Sequence, residues 1–136
     1  MRKIGIINEL EITKKMKNVK IKIKDNTINL NNRYKEEMSF LNKHIDEYVS
    51  ILNKQNYSTN ILKRINLMED AKGIIYTIIW YLDFLYKSMQ LTDNVYIAIG
   101  KELEDIIKMN TSYLKYLGNI KNTKFKNSNN GNNWIY

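Results

Sequence analysis

The sequence predicts a mainly α, mixed α+β domain: a three-helix up-down-up bundle with a small N-terminal antiparallel β-hairpin or three-stranded meander. Three observations predict it. Between residues 32 and 117, apolar side chains recur at alternating spacings of three and four, the period of a helix with one buried face. No proline interrupts these stretches. Near the N-terminus, KNVKIKIKDNTINL (17–30) instead alternates Val19, Ile21 and Ile23 with Lys20, Lys22 and Lys24, the period of a half-buried strand.

For the hairpin, a two-residue turn at Asp25-Asn26 sets Ile23 opposite Ile28 and Ile21 opposite Leu30, with all four on one face. KIGII (3–7) and LEI (10–12) supply a candidate third strand. Lysines then line the solvent face, where they also guard an exposed strand against edge-to-edge pairing.

The first helix spans about 32–54, capped by Asn31 or Asn32, with Glu36 and Glu37 in its early turns, where the dipole favours acids. Tyr34, Met38, Leu41, Ile45, Tyr48 and Leu52 form its buried stripe. A second helix runs over about 60–90, capped by Ser58 or Thr59, with Ile61, Ile65, Met68, Ile75, Ile79, Leu82, Tyr86 and Met89 on one stripe. From Ile74 to Leu85 it is apolar on nearly every side, so it is central or covered by another subunit. Gly73 marks an expected bend or interruption. The third helix spans about 93–117, capped by Thr92, with Leu103, Ile106, Ile107, Tyr113, Leu114 and Leu117 inward and Gly118 as its C-terminal stop. A single domain over 1–118 is expected, followed by a flexible, basic, Asn-rich tail over 119–136.

Composition narrows the function classes. The chain has 136 residues and no cysteine, which removes disulfides, thiolate metal sites and cysteine nucleophiles. Its most apolar run, GIIYTIIWYL (73–82), stops at Asp83, well short of the roughly 20 residues that span a bilayer. The opening MRKIGIINELEI lacks the apolar run of a secretory leader, so a cytoplasmic protein is expected. Twenty Asn and 21 Ile suit an AT-rich coding sequence: a low-GC microbe, its phages or its plasmids.

The net charge of +8 is unevenly placed: +7 over residues 1–35, −2 over 36–116 and +3 over 117–136. The basic ends make a candidate partner-binding set of Lys17, Lys20, Lys22, Lys24, Arg33 and Lys35, with Lys124, Lys126, Trp134 and Tyr136 in the tail. Such a surface suits an acidic protein or nucleoprotein partner, with DNA or RNA as the alternative.

Chemistry-bearing groups are sparse. His44 is the sole histidine and has no second ligand at metal-binding spacing. Glu36/Glu37, Glu69/Asp70 and Glu102/Glu104/Asp105 are the only acidic clusters; neighbouring acids on one helix diverge by about 100° and do not converge unaided. No catalytic residue, metal or cofactor is expected. Asp83, set among aromatics, has Lys87 one turn on for an ion pair, or else meets a partner. Tyr76, Tyr81, Tyr86, Tyr96, Tyr113 and Tyr116 form an aromatic belt suited to core-edge packing, base stacking or a protein interface.

Residues 60–110, NILKRINLMEDAKGIIYTIIWYLDFLYKSM and the amphipathic helix after it, resemble the helical bundle of bacteriocin immunity proteins of low-GC bacteria. That resemblance implies a small, basic, cytoplasmic protein that acts by binding. It rests on pattern over this stretch alone, and the expected hairpin departs from it, so no residue role transfers. The function expected is a non-enzymatic inhibitor, immunity or adaptor factor, homo-oligomeric or bound to an obligate partner. The alternative is a nucleic-acid-binding protein.

Overall fold

A computed structural model describes residues 10–27 and 30–132, with side chains through Thr123. Four helices follow one another: α1 (Glu11–Asp25), α2 (Lys35–Tyr57), α3 (Ile61–Lys87) and α4 (Asp93–Asn132), with a 3₁₀ turn at Asn32–Tyr34 leading into α2. No strand occurs among the described residues. The helices pack in a closed ring in which α1 and α3 each touch α2 and α4. Short connections make successive helices antiparallel.

The expected hairpin or meander is therefore corrected to a helix. Over the three residues Val19, Ile21 and Ile23 a strand and a helix compete evenly. Over a longer window they do not: Ile12, Met16, Val19 and Ile23 recur at spacings of four, three and four, and all four are buried. Both readings bury Val19 and Ile23, but the helix turns Ile21 to the opposite side, where it is 56% exposed. Glu11 in the first turn and Lys22 and Lys24 in the last suit the dipole. Asp25-Asn26 is the helix end, where the Asn26 and Thr27 side chains donate to the Lys22 and Ile23 carbonyls. Leu10–Ile12 lead into α1 instead of a third strand. Residues 3–7 and Ile28 lie outside the described residues.

The other three helices follow their stripes. Leu41, Ile45, Tyr48 and Leu52 of α2 are fully buried, as are Met68, Ala71, Ile75, Ile78 and Leu85 of α3 and Ile106 and Leu117 of α4. Asn31 accepts from the Arg33 amide at the entry to α2, and Thr92 from the Val95 amide at the entry to α4. At α3 the capping side chain is Asn60, which accepts from the Lys63 amide, while Ser58 accepts from the Asn60 amide. Helix α3 runs without interruption through Gly73. Helix α4 likewise passes Gly118, the expected stop, and continues to Asn132.

Two polar details sit inside this apolar frame. The buried Tyr48 hydroxyl donates to Asn110 Oδ1 at 2.8 Å, and Asn110 Nδ2 donates to the Met68 carbonyl at 3.4 Å, tying α2, α4 and α3 together. At the α3 C-terminus, Gln90 N donates to the Leu85 carbonyl and Met89 N to the Tyr86 carbonyl, closing the last turn with Met89 at φ 64°. Met89 ends the expected α3 stripe but is 89% exposed, because the chain has already left the helix. The left-handed region favours glycine, so a methionine there carries strain.

Replacing Met89 by glycine is expected to raise unfolding free energy by about 0.5–1 kcal/mol, read as a higher urea midpoint at constant slope. Tyr48→Phe and Asn110→Leu each strand a buried partner and should cost about 1–3 kcal/mol. The double variant should cost clearly less than the two together, as a double-mutant cycle measures. Burial also pushes the Tyr48 phenol above its ordinary range. The folded state therefore keeps a proton that the unfolded chain releases near about pH 10, so this stabilisation is full below that pH and declines above it. Urea midpoints from pH 8 to 11 should accordingly fall more steeply for the wild type than for Tyr48→Phe.

Candidate interaction surfaces

Helix α1 carries four of the ten sequence-predicted contact residues, Lys17, Lys20, Lys22 and Lys24, and its geometry sorts them. Lys20 Nζ donates to Asp46 Oδ1 of α2 at 2.6 Å, and Lys22 Nζ to Glu102 Oε1 of α4 at 2.7 Å. These two lysines flank the buried stripe and clamp α1 to both neighbours. Lys14, Lys17 and Lys24 are exposed on the outer side. With Ile21 they follow spacings of three, four and three, which put all four on one face. The outer ridge of α1 is thus lysines around an exposed isoleucine.

The other candidates separate. Arg33 sits with its guanidinium 5.8 Å from the Tyr34 ring centre, and Lys35 is exposed at the start of α2. Lys124 and Lys126 fall on the last turns of α4, with side chains outside the described set; Trp134 and Tyr136 lie outside the described residues.

A second surface lies across α2 and α3. Phe40 and His44 stack on Tyr81, Trp80 meets Tyr81 edge-on, Trp80 stacks on Phe84, and Phe84 meets Tyr34 edge-on. These contacts make one continuous aromatic surface on which Trp80 is 60% exposed, and Tyr76, one turn before Trp80, is 53% exposed. Composition marked the tyrosines, but the exposed core of the patch is tryptophan and phenylalanine. The available signal was that Trp80 and Phe84 are one turn apart with Tyr76 one turn before.

Much of the tyrosine belt instead fixes the helices to one another. Tyr86 and Tyr96 stack at 3.9 Å between ring centres, with Tyr86 donating to Asp93 and Tyr96 to Asp83. Both phenols are held above their usual range, chiefly by those bonds to carboxylates. Asp83 is thus partnered by Tyr96, and no ion pair joins it to Lys87. At the opposite end of the bundle, Arg64 donates to both Gln55 and the Tyr113 hydroxyl.

The sole histidine pairs within its own helix. His44 Nδ1 lies 3.2 Å from Glu47 Oε1, and no group of three His, Cys, Asp or Glu side chains there converges on a metal position. The acidic clusters stay on separate helices, with Glu102 committed to Lys22 and Glu104 near Lys108. An open groove of about 1000 Å³ at the α2–α3 turn is lined by mixed charges, including Asp46, Lys54 and Lys63. No helix among the described residues is long and apolar enough to cross a membrane. No family model, curated protein or solved structure matches the chain.

Proposed function

We propose that this chain is a non-enzymatic binding factor of the inhibitor, immunity or adaptor type, acting in the cytoplasm on an acidic protein partner. The observation that carries this reading is the outer ridge of α1. Six lysines on a 15-residue helix face only Glu11 and Asp25. Lys20 and Lys22 are bridged to neighbouring helices, and Lys14, Lys17 and Lys24 are exposed on the outer side of α1. Lysines spaced along one face supply long-range attraction to an acidic surface. Ile21 at their centre supplies apolar contact area on docking, which a purely electrostatic ridge lacks.

Nucleic acid is the second reading, favoured by the same lysine spacing. Salt separates the two: contacts to phosphates release counterions, so the affinity falls steeply with salt. An exposed isoleucine contributes little to a phosphate backbone, whereas it is central to a protein contact.

Charge reversal of Lys14, Lys17 and Lys24 together should lower partner capture from a low-GC bacterial lysate at least about tenfold, with the melting temperature near wild type. Ile21→Asp should lower it comparably, and nuclease treatment should leave capture unchanged. Equal capture by the wild type and the triple variant sinks the proposal. Capture that vanishes with nuclease and survives Ile21→Asp transfers it to nucleic acid.

A further inference from the structure

We infer that the outer face of α3 is a two-fold interface with a second copy of this chain, the two α3 helices running antiparallel. Glu69, Gly73, Tyr76, Trp80, Phe84 and Lys87 follow spacings of four, three, four, four and three and so share one side of the helix, opposite buried Ile75 and Leu82. Its outermost members, Tyr76 and Trp80, are exposed, while Phe84 at its edge also packs on Tyr34 at the entry to α2.

Three observations specify a second copy as the occupant. The first is charge. Glu69 and Lys87 are both exposed, stand at opposite ends of the stripe, and enter no ion pair among the described residues. They are equidistant from Ile78, nine residues to either side. An antiparallel copy centred at that level places each Glu69 beside the partner's Lys87, twice in one interface. A two-fold contact must be self-complementary in this way.

The second is shape. Tyr76 and Trp80 lie two residues either side of Ile78, so the same register sets each Tyr76 against the partner's Trp80. Gly73 falls at the level of the partner's Asp83, one residue from its Phe84, so the bulky end of the stripe comes in beside its smallest residue.

The third is Gly73 itself. A glycine in mid-helix costs about 1 kcal/mol relative to alanine. A Cβ there would meet nothing within 4 Å, so no contact inside the chain calls for its absence. Gly100 and Gly118 of α4 are open in the same way, so what sets Gly73 apart is its place on the Tyr76–Trp80 face, where the missing Cβ leaves room for a second helix. The inference is independent of the α1 reading: α3 is a different face.

Sedimentation equilibrium from about 1 to 100 μM tests it. The wild type should be dimeric at the upper end, and Trp80→Glu monomeric with unchanged helical circular dichroism. Glu69→Lys and Lys87→Glu should each raise the dimer dissociation constant about tenfold, and the double reversal should restore it. The chain has no cysteine, so Glu69→Cys and Lys87→Cys are single-thiol variants. Mixed, they should cross-link to each other under oxidation, while neither cross-links efficiently to itself. A wild type that is monomeric at 100 μM overturns the inference. So does a dimer untouched by both charge reversals, or one whose Glu69→Cys variant cross-links to itself.

Discussion

The bundle is organised around one hydrogen bond that its core has little room to misplace. Tyr48 and Asn110 are fully buried among aliphatic side chains, and the Tyr48 hydroxyl has the Asn110 side chain as its partner. An apolar core tolerates sliding of one helix by a turn, because leucine and isoleucine exchange neighbours at small cost. A buried hydroxyl does not, since separating it from its acceptor leaves a desolvated group at about 1–3 kcal/mol. Asn110 then spends its amide on the Met68 carbonyl, so the same residue sets the register of α4 against both α2 and α3. Caps, stripes and loops make the helices; this network fixes where they meet.

Helix α1 joins that assembly by a different balance. Its two bridges involve partly exposed groups and contribute at most about 1 kcal/mol each after solvent screening. Burial of Ile12, Met16, Val19 and Ile23 is the larger effect, at about 1.5–3 kcal/mol per side chain relative to full exposure. Holding α1 on the bundle is therefore the work of the apolar stripe, and the bridges select its rotation. That division explains why Lys20 and Lys22 can turn to the neighbouring helices while Lys14, Lys17 and Lys24 stay exposed on the outer side.

The parts of this fold that were legible are those written over long windows. Helices α2, α3 and α4 repeat their apolar positions over many turns, and no short accident mimics that. The N-terminal segment was not legible, because KIKIK satisfies a period of two locally while Ile12 to Ile23 satisfies the helical period over twice the length. Asn110 also lies on the α4 stripe, yet a polar letter at an apolar position looks like surface until a buried tyrosine is placed against it. For the candidate surfaces, the lysines were visible as composition, but which of them bridge to Asp46 and Glu102 depends on how α1 sits between α2 and α4. Gly73 stood out as a breach of helix propensity; that it breaks no turn, and faces outward, depends on the packing of α3.

The two surfaces bear a fixed relation to each other. In the ring of helices, α1 and α3 each pack on α2 and α4, and so occupy opposite corners. A two-fold contact through α3 consequently directs the two α1 ridges to the far sides of the dimer. One copy offers a single ridge of lysines around Ile21, which makes a weak and easily screened contact. If the proposed α3 contact forms, the two ridges face apart, so each would engage an acidic partner of its own and the dimer would carry two separated sites. On this view the aromatic stripe of α3 does more than cover an apolar face. A dimer of that kind would present one basic ridge on each far side, spaced by the width of two bundles.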